Sequence, residues 1–117
     1  MKNDRLYLAH IRDALLRVIE YTVGGREAFF ADPRTQDAVV RNLEIVGEAA
    51  KSVSSAMRER APGIPWKVIG GMRDKLIHEY FGVDLAIVWR VVENEVPALR
   101  RQIDSLLSQP REGEVSE

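Results

Sequence analysis

Apolar residues return at three- and four-residue intervals along most of this chain, the spacing of one face of an α-helix. Leu8, Ile11, Leu15 and Val18, with Thr22 after them, form the first stripe. They predict a helix that Asn3 or Asp4 can cap and that runs to about Val23, where Gly24-Gly25 ends it. Arg26 to Ala31 reads as one helical turn, with Phe29 and Phe30 expected to cover an end of the bundle. Asp32-Pro33 is a start signal, a capping carboxylate followed by proline at the first helical position. The second helix is expected to reach about Arg60, with Val39, Leu43, Val46, Ala50, Val53 and Met57 as a bundle seam. A flanking stripe of Ile45, Ala49, Ser52 and Ala56 is mostly small and admits a close helix, from the same chain or from a second copy. Ala61-Pro62-Gly63-Ile64-Pro65 breaks the pattern, and Trp66, Val68 and Ile69 are expected to tuck the connection onto the core. Gly70-Gly71 predicts a sharp turn that opens a short helix stopping at Gly82. Asp84 caps a last helix to about Leu107, buried along Leu85, Val88, Val92, Val96, Leu99, Ile103 and Leu106. Pro97 inside it predicts a bend or the loss of one backbone bond. With no β-alternation and no repeat, the expectation is an all-α, up-and-down bundle of four main helices with a short extra helical turn. Residues 1–108 form one domain, and 109–117 a polar, frayed tail.

Composition narrows the chemistry. The chain has 117 residues, 45% of them apolar, enough for one core. It has no cysteine, which excludes disulfides, Cys-zinc sites and thiol nucleophiles. No apolar run approaches the roughly 18 residues of a membrane span, so no membrane association is expected. The N-terminus enters the helical pattern with no signal-peptide core, and a cytoplasmic location is expected. A net charge of −1 argues against coating nucleic acid by bulk electrostatics. Between Lys51 and Lys75, however, Lys51, Arg58, Arg60, Lys67, Arg73 and Lys75 face only Glu59 and Asp74. That excess is either a basic patch suited to a phosphate backbone or a solvated helix face, and the sequence leaves both readings open.

The most chemical stretch is Gly70-Gly71-Met72-Arg73-Asp74-Lys75-Leu76-Ile77-His78-Glu79-Tyr80, which holds one of the two histidines. On a helix Asp74 and His78 are i,i+4 neighbours, so the carboxylate could fix the imidazole tautomer. Arg73 and His78 lie roughly 140° apart at about 100° per residue. One helix therefore splays them, whereas two copies across a two-fold axis could aim both at one phosphate. His78 titrates near neutrality and suits proton transfer, while Arg73 offers a planar cationic fork for phosphate oxygens. Tyr80 could donate a hydrogen bond, stack on a base, or pack inward with Leu76 and Ile77. Arg41 and Glu48 share a face of the second helix and, with Lys75, are candidates for a cleft rim. An ion pair between protomers and a solvated helix face are the other readings of Arg41 and Glu48. No pair of histidines or carboxylates has the spacing of a closed metal site. His10, Tyr7, Tyr21 and Trp89 read as surface or packing residues.

Arg73-x4-His78-x-Tyr80 resembles the signature of HEPN-domain ribonucleases, and more narrowly that of the HepT toxins of HepT/MntA toxin–antitoxin pairs. Two further stretches carry the narrower resemblance: Arg41-Asn42-Leu43-Glu44-Ile45-Val46-Gly47-Glu48-Ala49-Ala50-Lys51, and Pro65-Trp66 leading into Gly70-Gly71-Met72-Arg73. It covers about Asp4 to Leu107. The resemblance implies a HEPN-like domain and a metal-independent endoribonuclease without cofactor. Arg73 and His78 would be catalytic in a cleft between the protomers of a homodimer, with Asp74 in support and RNA as substrate. It also implies a cognate MntA-like nucleotidyltransferase antitoxin that attaches AMP to Tyr80. The alternative is a non-catalytic helical partner of a minimal nucleotidyltransferase, binding nucleotide or the enzyme itself.

Overall fold

The apolar stripes fold as helices, and three of them differ from the expected boundaries for reasons that lie elsewhere in the chain. The structure is a computed structural model. It describes residues 3–77 and 84–109, excepting the side chains of residues 73 and 75–77. The expected stop at Gly82, His78, Tyr80 and nearly all of the tail lie outside the described residues.

Seven α-helices occur among the described residues: α1 (Asp4–Tyr21), α2 (Arg26–Ala31), α3 (Pro33–Ser52), α4 (Ser55–Arg60), α5 (Trp66–Ile77), α6 (Leu85–Asn94) and α7 (Val96–Leu107). No strand occurs among those residues. The fold is an all-α bundle of HEPN-like architecture in which Glu95, in the αR region, joins α6 to α7 as an interrupted rod, whereas extended Val53 and Ser54 separate α3 from α4. α1 packs along α3 and α7, and α5 packs along α3. The core is the seam read from sequence: Leu8, Ile11, Leu15, Val18, Val39, Leu43, Val46, Val88, Val96 and Ile103 are buried, together with Phe29 from α2. Each such side chain contributes about 1.5–3 kcal/mol relative to exposure. Phe29 and Trp89 meet with ring centroids 5.3 Å apart and close one end, while Phe30 stays at the surface under the Arg26 guanidinium, 4.7 Å away.

The expected second helix does not run unbroken to Arg60. It stops at Ser52, and Ser54 restarts it as the cap of α4, its Oγ accepting from the Met57 N–H at 3.1 Å. The break is held from fifty residues away: the Ser54 N–H and Oγ donate to the two carboxylate oxygens of buried Asp4, at 2.8 and 2.6 Å. Asp4 therefore does not cap α1, and Asn3, in the capping position, makes no side-chain cap bond. Asp32 does cap α3, accepting from the Arg34 N–H at 3.0 Å. Gly24-Gly25 ends the first helical segment as expected, and Gly25 takes φ 93°, ψ −175°.

Gly70-Gly71 is not a turn. Both glycines lie inside α5, which starts four residues earlier at Trp66. The tucked connection is also partly corrected: Ile69 is buried, but Val68 is 69% exposed. At Pro97 the expected irregularity is present as the boundary between α6 and α7, with Glu95 as the joint.

Candidate functional site

α5 carries the chemical stretch, and its placement comes from α3. A Cβ at Gly70 would lie 3.2 Å from Lys51 Cγ, so glycine leaves the gap through which the lysine stem crosses α5. Beyond it, Lys51 Nζ donates to Asp74 Oδ2 at 3.0 Å. The pair is about half exposed and would add little to stability as an isolated surface bridge. Its position matters more. Asp74 immediately follows Arg73, so the bridge ties α3 to the turn of α5 whose backbone bears the arginine.

Arg73 lies in α5 by backbone, and so does Lys75; their side chains, and the whole of His78 and Tyr80, lie outside the described residues. The expected Asp74–His78 contact lies there too. The described residues resume at Asp84, whose side chain caps α6 by accepting from the Ala86 N–H at 3.0 Å. Leu85 next to it lines a hollow of about 380 Å³ shared with Gln36, Asp37, Val40, Arg41 and Glu44. Arg41 therefore stands on α3 beside the start of α6. Its guanidinium meets Glu44 at 3.5 Å within the same helix. Glu48 is exposed further along α3, its carbonyl accepting from Ser52 Oγ at 3.3 Å. The small stripe beside the seam is divided: Ala49 is buried, Ile45 is half-buried, and Ser52 and Ala56 are exposed.

Among the described side chains of the basic segment, Lys51, Arg58 and Arg60 turn to different partners. Lys51 turns to Asp74, and Arg58 Nε donates to the Val53 carbonyl at 3.0 Å. Arg60 points to the opposite end of α5, where Nη2 donates to Gln109 Oε1 at 3.2 Å. Sequence reasoning counted Lys51 only in the basic segment, although a glycine and an aspartate at i,i+4 on α5 form a seat for a long cation from a neighbouring helix. It also passed over Asn42, which is buried, accepts from Arg17 Nε at 2.7 Å and donates to the Ala38 carbonyl at 2.8 Å. The signal was a lone amide at a seam position.

An apolar groove of about 250 Å³ runs between α5 and the α6–α7 rod, lined by Leu15, Val46, Ile69, Met72, Val88 and Leu99 among others. Among the described residues, no three His, Asp or Glu side chains gather as a metal-binding group. No helix among them is long and apolar enough to cross a membrane.

Comparison with known proteins supplies the context for this geometry. A family model described as "Ribonuclease HepT-like" matches residues 11–106. A Caldanaerobacter subterraneus subsp. tengcongensis protein provisionally named an RNase is 45% identical over 112 residues, 95% of this chain and 100% of that one. A Thermococcus cleftensis protein provisionally named ribonuclease HepT is 41% identical over 109 residues, 90% of this chain and 96% of that one. A Methanocaldococcus jannaschii protein, also provisionally named an RNase, is 37% identical over 107 residues, covering 91% and 88%. No solved structure matches significantly.

Proposed function

The chain belongs to the HepT-like ribonuclease family, and from that premise we propose that it is a metal-independent endoribonuclease acting as the toxin of a toxin–antitoxin pair. The observation that carries this reading is the family match over residues 11–106, which spans the whole of Arg73-x4-His78-x-Tyr80. Arg73 and His78 supply complementary chemistry. The ribose 2′-OH attacks the adjacent phosphorus, the bond to the 5′-oxygen breaks, and a 2′,3′-cyclic phosphate and a 5′-hydroxyl result. His78 accepts the 2′-OH proton or delivers one to the departing oxygen. Arg73 stabilises the charge that grows on the non-bridging oxygens.

The reading includes a dimer. On one regular helix Arg73 and His78 would splay, and a two-fold axis beside α5 would pair the arginine of one protomer with the histidine of the other; isologous pairing is the commonest assembly. Arg41, Glu48 and Lys75 would rim that cleft. Tyr80 would accept AMP from a partner nucleotidyltransferase, and the added phosphodiester would put negative charge where RNA phosphate must sit.

The test is incubation of the purified protein with RNA in EDTA. Cleavage that survives chelation and falls about 10²–10³-fold in Arg73→Ala and in His78→Ala is expected. Cleavage that requires a divalent ion, or that persists in both variants, would overturn the mechanism, and absence of any cleavage by the wild type would favour a non-catalytic partner.

A further inference from the structure

Arg60 and Arg101 line one cleft of about 500 Å³ between the α4–α5 connection and the end of α7. The volume is within the range of small-ligand sites. The rest of the lining is Gln102, Ser105 and Gln109 with apolar and backbone surface; among the described residues no carboxylate lines it. This is unusual in a chain of net charge −1. Other arginines have partners: Arg100 meets Asp104 at 2.9 Å, Arg12 meets Asp13 at 3.1 Å, and Arg5 donates to the Leu107 and Gln109 carbonyls. Arg60 has only the neutral amide of Gln109, and Arg101 makes no hydrogen bond or ion pair among the described residues. The walls are tied together independently of any ligand. Gln102 Nε2 donates to the Gly63 carbonyl at 3.1 Å, and Trp66 Nε1 to the Ala61 carbonyl at 3.0 Å. Two guanidinium groups from separate elements, neither ion-paired among the described residues, therefore flank a braced polar cleft, an arrangement suited to phosphodiester oxygens.

We propose that this cleft is a second phosphate-binding site, which holds the backbone of single-stranded RNA away from the scissile bond. The identity of the ligand rests on the ribonuclease reading. The cleft adjoins the start of α5, while Arg73 lies near its other end, and the twelve residues of that helix span about 18 Å. A strand held at both ends of α5 extends several nucleotides beyond the cut. The site adds binding without touching the reacting atoms, so it lowers KM for long RNA and leaves a dinucleotide unaffected.

The test uses the full chain and a labelled 2′-O-methyl single strand, which binds but cannot undergo 2′-OH attack. Anisotropy is measured across salt for wild type, Arg60→Gln/Arg101→Gln, and the charge-matched Arg26→Gln/Arg90→Gln remote from the cleft. All four arginines are exposed, so the variants are expected to fold, and circular dichroism checks it. In the cleft variant the Kd should rise roughly tenfold and the salt slope fall by about 1.4, about 0.7 for each phosphate that is no longer neutralised. The control should shift less than about twofold. On unmodified RNA the cleft variant should raise KM at unchanged kcat, with dinucleotide cleavage unmoved. Equal weakening in both variants, no weakening in the cleft variant, or no affinity of wild type for the strand would overturn the proposal. Binding through the cleft by a protein that cuts no RNA would sustain it and remove the ribonuclease reading instead.

Discussion

Lys51 of α3 reaches across Gly70 to place its ammonium 3.0 Å from the carboxylate of Asp74 on α5. The contact joins two helices at the turn that bears Arg73. It links the Arg41–Lys51 stretch to the Arg73 stretch, which are separate in sequence.

Lys51→Met keeps the aliphatic stem and removes the charge. Both partners are about half exposed, so unfolding free energy should change by less than about 1 kcal/mol. If the bridge positions Arg73, kcat for RNA should fall by up to about fivefold, the rate equivalent of that energy. KM should hold, and Lys51→Arg should restore most of the activity. A variant that loses stability but not kcat would reduce the bridge to a packing contact. Denaturant melts and single-turnover rates on the three proteins decide it.

The two adjacent glycines of α5 should behave differently. A Cβ at Gly71 meets nothing within 4 Å, so Gly71→Ala should stabilise by about 0.5–1 kcal/mol through helix propensity. At Gly70 the same methyl crowds Lys51 Cγ at 3.2 Å, so the gain should shrink or reverse as the lysine is displaced. Thermal melts of the two single variants compare them directly. Equal stabilisation would mean that Lys51 moves aside at no cost.

Gly25 isolates a backbone effect. Its φ of 93° and ψ of −175° lie in a region open essentially to glycine alone, yet a side chain there would meet nothing within 4 Å. Gly25→Ala should therefore destabilise by about 1–3 kcal/mol from strain, with no steric term. An unchanged melting temperature would show that the α1–α2 turn relaxes.

Asp32 supplies a pH dependence. The hydroxyl of Thr35 holds its carboxyl below the usual range, and the backbone N–H groups of Arg34 and Thr35 act in the same direction. A carboxylate favoured by the folded state adds stability above its unfolded pKa, and that stability is lost as pH falls through the lower folded value. Asp32→Ala should destabilise at neutral pH, and its difference from wild type should vanish below the folded pKa. A difference constant down to strong acid would deny the cap its charge.

The core was legible because burial and helical period are written in the same residues: Leu8 to Val18, Val39 to Met57 and Val88 to Leu106 each form a stripe. What could not be read were features set by distant partners. Nothing near Ser54 announces a helix break, because the acceptor that holds it is Asp4. Gly70-Gly71 resembled a turn because intrinsic preference ignores α3, against which the glycines lie in a continuous helix. At the candidate site, Arg73, His78 and Tyr80 are candidates from spacing and Arg41 from its helix face; the Arg73 side chain and the whole of His78 and Tyr80 lie outside the described residues. The role of Lys51 was hidden because it depends on a partner twenty-three residues away. The cleft of Arg60 and Arg101 was hidden because its cations come from two helices far apart in the chain.

The two tryptophans occupy contrasting surroundings. Trp66, half-buried at the start of α5, donates its indole N–H to the Ala61 carbonyl. Trp89 is buried against Phe29, and its indole nitrogen has no hydrogen-bond partner among the described residues. The molecule thus carries two intrinsic optical reporters at different places. Trp89 should emit at the shorter wavelength, from an apolar site that water reaches only when the α2 cap lifts. Trp66, tied to the connection that walls the arginine cleft, should respond when a strand is seated there. With Trp66→Phe and Trp89→Phe to separate the signals, loosening of the core and occupation of the cleft could be followed independently in one unlabelled protein.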